Sequence, residues 1–282
     1  MAGIQTRTLR RLVAGSILVA AVFAFAWFAV DAIREAREVK RANTYVQEII
    51  SRLDLAAVPD FHRRVDKVRA FINDNSIFSV DESFWKNKEY PSSFAAGLLA
   101  YSKGTASEPA HMECSTRTNL MSEILQKLGY DTRVVAVFDT DETLTSHSFL
   151  EVMDPGTGRW ETQDPQLDIF WRNKVSGERV SLADAAEGLD SVEPCGRIRC
   201  GWDLENREGS KVARMRRFLD IISLTRKERG LRYALYTSRA DLNRIYVKDG
   251  RRGTFCEVQA KRCRQGFYDI RKFSSYAPGL PR

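Results

Sequence analysis

The sequence is poor in the residues on which metal and nucleotide chemistry rest. Only three histidines occur in 282 residues, and no spacing of His, Cys and carboxylates reads as a metal-ligand cluster. No glycine-rich phosphate loop is present and no internal repeat recurs, so neither a P-loop nucleotide enzyme nor a repeat solenoid is indicated. No stretch interleaves basic and aromatic side chains as nucleic-acid modules do. No cofactor, no metal and no nucleic acid is therefore expected. Residues 1–30 also lack any acidic side chain.

Cysteine is scarce as well. The five are Cys114, Cys195, Cys200, Cys256 and Cys263. Four fall in two close couples in the C-terminal third, and Cys114 stands alone. In an oxidising compartment this is the count for two disulfides, Cys195–Cys200 and Cys256–Cys263, plus one working thiol. Four cysteines allow three pairings. A four-cysteine zinc site is the competing reading, with spacings looser than the usual zinc knuckle.

One long apolar run is present. Residues 12–30 are uncharged throughout, and as a helix they span about 28 Å, close to the ~30 Å hydrocarbon thickness of a bilayer. Arg7, Arg10 and Arg11 precede the run. The positive-inside rule puts this end in the cytoplasm and the rest of the chain outside, with Trp27 and Phe28 at the outer interface. A cleaved signal peptide is the alternative. Its best small-x-small site, Ala24-Phe25-Ala26, is followed by more apolar residues. The expectation is a single-pass protein of a bacterial inner membrane facing the periplasm, with residues 1–30 as cytoplasmic tip and anchor and 31–58 as a helical stalk.

Composition is 43% apolar and 29% charged, enough for one globular domain with additions or two small ones. The net charge of +7 is uneven, since residues 201–282 hold 20 Lys and Arg against 9 Asp and Glu. That region suits an anionic partner, a membrane surface or a polysaccharide among them, or is simply a solvated basic surface.

After the stalk, Asp60 is placed to cap a helix whose apolar stripe is Phe61, Val65, Val68, Phe71 and Ile72. His62 reads as a surface or packing histidine within it. Residues 73–92 are turn-rich and hold Trp85. A short apolar helix covers 94–101, and 107–113 reads as a loop. Met121, Ile124, Leu125 and Leu128 then recur at helical spacing, with Gly129 as C-cap. Cys114 therefore stands where a helix begins. Free N–H groups and the helix dipole at that end favour thiolate over thiol, and they can hold a developing oxyanion.

Strands are expected over 132–138 and 144–153, then 159–164 after the turn Asp154-Pro155-Gly156-Thr157-Gly158. An acidic turn, 139–142, joins the first two. His147 is in the second strand and Asp164 ends the third. A hairpin loop of residues 154–157 would set His147 directly opposite Asp164, and a loop one residue longer would put them one step apart. Opposed side chains have Cβ atoms about 4.5–5.5 Å apart, so an imidazole–carboxylate hydrogen bond follows from the first register. Cys, His and Asp are the parts of a thiolate nucleophile, its base and the base's orienter.

Cys114 opening its helix, Leu128-Gly129-Tyr130-Asp131-Thr132-Arg133-Val134-Val135 closing it, Ser146-His147-Ser148-Phe149-Leu150-Glu151-Val152 and Trp160-Glu161-Thr162-Gln163-Asp164-Pro165 together resemble the core of the transglutaminase-like superfamily. The resemblance covers roughly residues 60–170. It implies an α+β fold of papain type, with a cysteine-bearing helix packed on an antiparallel sheet. It also implies Cys114 as nucleophile, His147 as base and Asp164 as orienter. Two positions depart from the family pattern. Met112 stands where glycine is frequent, and Ser115 stands where animal-type crosslinking enzymes have tryptophan. Trp85 is the candidate for the indole that supports the oxyanion hole in those enzymes, beside the Cys114 backbone N–H.

Beyond Asp164, 169–171 is apolar and 176–209 is loop-rich, with residues 195–200 as a stapled loop. A helix is expected over 212–224, strands over 233–238 and 243–247, a turn at 249–250, and a further pairing segment over 254–258. The division drawn is a catalytic core over 59–175 and a basic, disulfide-bearing region over 176–282. The implied activity is acyl transfer on amide bonds of a peptide or protein substrate, with hydrolysis favoured over crosslinking. The alternative is a catalytically silent binding or scaffold module in an envelope or polysaccharide-export assembly.

Overall fold

The computed structural model describes residues 2–88, 92–138, 146–181, 184–185 and 191–201, and the strands 233–236, 245–248 and 251–253. The acidic turn at 139–142, the helix expected over 212–224, the turn at 249–250, the segment 254–258, Cys256 and Cys263 lie outside the described residues.

The first element, α1 (Ala2–Arg52), is a single helix of 51 residues, about 77 Å long. It contains both the apolar run and the segment expected as a stalk. Its end is not a stalk. Val46 and Ile49 are buried, with Tyr45 and Ile50 packed beside them, so the last two turns belong to the core. Most side chains of residues 12–30 lie outside the described ones. Among the described residues no helix is long and apolar enough to cross a membrane.

A short turn around Leu55 leads to α2 (Phe61–Asp74), which buries Val65, Val68, Phe71 and Ile72, as its 3.6-residue spacing requires. The Asp60 carboxylate accepts from the Arg63 N–H at 2.7 Å and caps it. The turn-rich segment contains β1 (Ser76–Phe78) and α3 (Glu82–Lys88), and α4 (Ser92–Ser102) follows. The expected loop before Cys114 holds a strand, β2 (Ala110–Met112), paired parallel to β1. Two three-residue strands carry too little alternation to be read from sequence. Helix α5 (Cys114–Lys127) comes next. It closes with Gly129 at φ 90°, while the N–H groups of Gly129 and Tyr130 bond the carbonyls of Gln126 and Leu125. This pair of bonds is a Schellman cap.

The rest of the core is one antiparallel sheet: β3 (Thr132–Phe138), β4 (Ser146–Met153), β5 (Trp160–Asp164), β6 (Ile169–Asn173), β7 (Val192–Cys195), β8 (Tyr233–Tyr236), β9 (Ile245–Lys248) and β10 (Arg251–Gly253). Its order is β10-β9-β8-β3-β4-β5-β6-β7. β8 pairs with β3, so the strands of the basic third extend the core sheet instead of starting a separate one. The fold is α+β. Helix α5 packs on β3 and β4, where Val134, Leu150 and Val152 join the helices in one apolar cluster with Met121, Ile124, Leu125 and Ile72.

The β4–β5 hairpin differs from the register read from sequence. Met153 pairs with Trp160 and Leu150 with Gln163, a shift of two residues. Asp154 accounts for it. Its N–H bonds the Arg159 carbonyl, its carbonyl accepts from Gly158 N, and its carboxylate accepts from Gly156 N and the Thr157 hydroxyl. Gly158 takes φ 70°, which glycine adopts without the Cβ clash of other residues. The loop therefore closes one residue later on each strand. A two-residue shift preserves side-chain parity, so His147 and Asp164 remain on one face.

Candidate active site

Cys114 is the first residue of α5, a free and partly exposed thiol. The preceding residue has extended backbone angles, and its N–H bonds the Thr116 hydroxyl at 3.0 Å. The Ser115 hydroxyl bonds the Glu113 carboxylate at 2.7 Å. The polar run after the cysteine thus fastens the first turn. Thr118, one turn on, donates to the carbonyls of Cys114 at 2.7 Å and Ser148 at 3.1 Å. It ties the cysteine turn to the strand residue next to His147.

His147 lies near the start of β4 with its side chain 16% exposed, and its Nε2 meets Asp164 Oδ2 at 2.7 Å. The other oxygen of Asp164 accepts the N–H groups of Gln166 and Leu167, both at 2.9 Å. Desolvation by burial works to lower the His147 pKa. The charge and hydrogen bond of Asp164, and then the hydrogen bond and charge of Cys114, more than offset it and raise the value to about 10. The imidazole is thus held between the cysteine sulfur and the carboxylate, and carries a proton at neutral pH.

The loop that presents Asp164 is itself clamped. The Asn73 side chain donates to the carbonyls of Pro165 and Gln166 at 3.2 and 2.8 Å. Arg69 is 1% exposed and spans Asp66, Gln163 and Asp168, while the Arg69 and Arg179 guanidinium groups lie over the Phe170 ring. Arg117, three residues after Cys114 and fully buried, donates to the Gln166 carbonyl at 3.3 Å. A buried arginine makes sense only where carbonyls and carboxylates receive it. Here it links the cysteine helix to the aspartate loop.

Sequence reading names the three central residues but not these supports. Thr118, Arg117, Asn73 and Arg69 look like ordinary helix positions; burial gives away Thr118, Arg117 and Arg69, and its two bonds to the aspartate loop give away Asn73. Trp85 sits on α3, half exposed, with its ring edge-on to Phe84 at 5.3 Å. α3 packs against β2, the strand that leads into Cys114. Cys195 and Cys200 form the first expected disulfide, which closes the end of β7, away from the thiol in sequence.

Chemically, the arrangement pairs a sulfur at a helix N-terminus with an imidazolium fixed by a buried carboxylate. Such a set suits nucleophilic attack followed by proton delivery to a leaving group. No protein-family model matches the chain, and neither a curated protein nor a solved structure does.

Proposed function

We propose that the chain is a membrane-anchored, transglutaminase-like cysteine enzyme that works on amide bonds of peptide or protein substrates outside the cytoplasm. The observation that carries this reading is His147 in hydrogen-bonding range of both Cys114 and Asp164. The Cys114 thiolate attacks the amide carbonyl and the C–N bond breaks. His147 gives its proton to the departing amine. Water, deprotonated by His147, then cleaves the thioester, returning the thiol and releasing the acid. N–H groups at the start of α5 and the Trp85 indole hold the oxyanion. Hydrolysis is preferred to crosslinking because nothing in the sequence identifies a dry channel for an acceptor amine. The fold of papain type belongs to the same reading, supported by the helix–sheet packing of α5 on β3 and β4.

The anchor rests on the run at 12–30. Phe23, Phe25, Trp27, Phe28 and Val30 expose between 67% and 76% of their surface. Aromatic side chains so placed on one helix with no protein cover suit a lipid phase. The basic C-terminal region then faces anionic envelope material.

The test is labelling with an electrophilic acyl-amide probe at neutral pH. The enzyme reading expects Cys114 to be acylated far faster than a free thiol, and the acyl group to leave with time. A Cys114 that reacts no faster than free thiol sinks it and favours the scaffold alternative.

A further inference from the structure

A second cluster of chemically competent side chains lies away from Cys114. His62 in the first turn of α2, Asp154 at the β4–β5 turn and Glu161 on β5 each offer one ligand atom, and these atoms all lie within 4.8 Å of one another. His62 stands far from the other two in sequence, so no motif announces the cluster. The sequence showed no metal-ligand spacing for this reason.

Three features distinguish the cluster from a surface ion pair. The Glu161 side chain is only 6% exposed. One of its oxygens meets His62 Nε2 at 2.8 Å, and the other, Oε2, is buried with no hydrogen bond. Arg179 approaches that oxygen only to 3.9 Å, because its two terminal nitrogens are engaged with Asp66 at 2.9 and 2.7 Å. A buried carboxylate oxygen left without a donor is costly. Desolvation by burial accordingly pushes the Glu161 carboxyl above the usual range. Asp154 is held as metal-ligating carboxylates are held, by the Gly156 N–H at 2.8 Å and the Thr157 hydroxyl at 2.9 Å. Each of its oxygens keeps a further lone pair.

We propose that His62, Asp154 and Glu161 bind one divalent transition-metal ion of the zinc class, joining α2 to the β4–β5 turn. One imidazole nitrogen with two carboxylates suits zinc at about 2.0–2.2 Å per ligand. Calcium and magnesium, which take oxygen ligands in larger number, fit it less well. His62 is 41% exposed on its side chain, so it is free to close on the ion and water completes the shell. The ion would supply the charge that Glu161 Oε2 lacks and would fix the hairpin that carries both His147 and Asp164.

The experiment is metal analysis of the full chain in detergent under non-reducing conditions. The protein is equilibrated with Zn²⁺ or Co²⁺, dialysed and assayed for bound metal, with fold checked by circular dichroism. The wild type should retain about one equivalent, and Cys114→Ala should retain the same. His62→Ala and Glu161→Gln should lose it. Thr157→Ala, which removes only the hydroxyl that orients Asp154, should weaken binding by about 10-fold. A wild type that holds no metal overturns the proposal. So does metal content unchanged in folded His62→Ala and Glu161→Gln, or metal lost with Cys114.

Discussion

His147 and Asp164 meet at 2.7 Å although the β4–β5 ladder, in which Leu150 faces Gln163, sets them two residues out of direct opposition. The contact is diagonal. Such neighbours lie about 7–8 Å apart between backbones, within reach of an imidazole and a carboxylate that lean toward each other. The diagonal places Asp164 at the strand's end, where its second oxygen can take the N–H groups of Gln166 and Leu167. A directly opposed aspartate inside the ladder would have no such donors.

Under the proposed chemistry the three residues divide the work. Cys114→Ala should abolish turnover with the fold intact, and His147→Ala should be nearly as damaging. Asp164→Asn should cost less, about 10²-fold, against about 10⁴-fold in the serine-protease analogue, because a thiol is a better nucleophile than a hydroxyl without its base. Steady-state rates on an amide substrate, with iodoacetamide alkylation of each variant at neutral pH, check the order. Equal alkylation of Cys114 in wild type and His147→Ala would mean that the two are not coupled.

The His147 pKa of about 10 carries a stability consequence with a definite sign. The folded imidazole keeps its proton above the ordinary value of 6.5, so its contribution is fully present below pH 6.5. It is lost as pH rises through about 10, with a slope of at most about 1.4 kcal/mol per pH unit between. Asp164→Asn removes the leading upward influence and should flatten that slope. Urea unfolding of both proteins from about pH 6 to about pH 10 measures it. Parallel slopes would refute the assignment.

Arg133 and Glu151 face each other across β3 and β4 and pair at 2.5 Å, both buried, with the guanidinium 4.1 Å from the Trp160 ring centre. Glu151→Ala removes the buried carboxylate that Arg133 pairs with and should destabilise by about 3–5 kcal/mol. Replacing both residues by leucine should cost less than that single change. Chemical denaturation of the two variants decides whether the pair acts as a unit.

The disulfide Cys195–Cys200 closes a loop with a sequence separation of 5. A loop that short gives about 2 kcal/mol in the chain-entropy picture, so Cys195→Ser with Cys200→Ser should lower stability by roughly that. Non-reducing peptide maps should show Cys256 joined to Cys263. A map linking either to Cys195 or Cys200 would contradict both pairings.

Topology has its own measurement. A phosphatase fused after residue 60 should be active outside the cytoplasm, and the protein should stay with membranes through a high-salt wash. Release with a new N-terminus near Trp27 would mean that the run is cleaved.

Local elements with periodic or covalent signals were legible from the chain alone: α2 from its apolar stripe and Asp60 cap, α5 from Met121 to Leu128 and the Gly129 cap, β3 from its β-branched run, and the near couple of Cys195 and Cys200. It also singled out Cys114, His147 and Asp164, because a thiol, an imidazole and a carboxylate are the side chains the proposed chemistry calls for. How they meet depends on long-range packing and on the turn between β4 and β5. The hairpin register turned on hydrogen bonds of Asp154 that no alternation of side chains encodes. The capture of the end of α1 by the core turned on packing of Val46 and Ile49 against distant helices. The addition of β8 to β3 turned on a long-range pairing, and the clamps on Asp164 turned on burial of Arg69 and Arg117. Apart from the Asp154 turn, each joins residues tens of positions apart. A linear pattern specifies which face is apolar, but not which partner covers it.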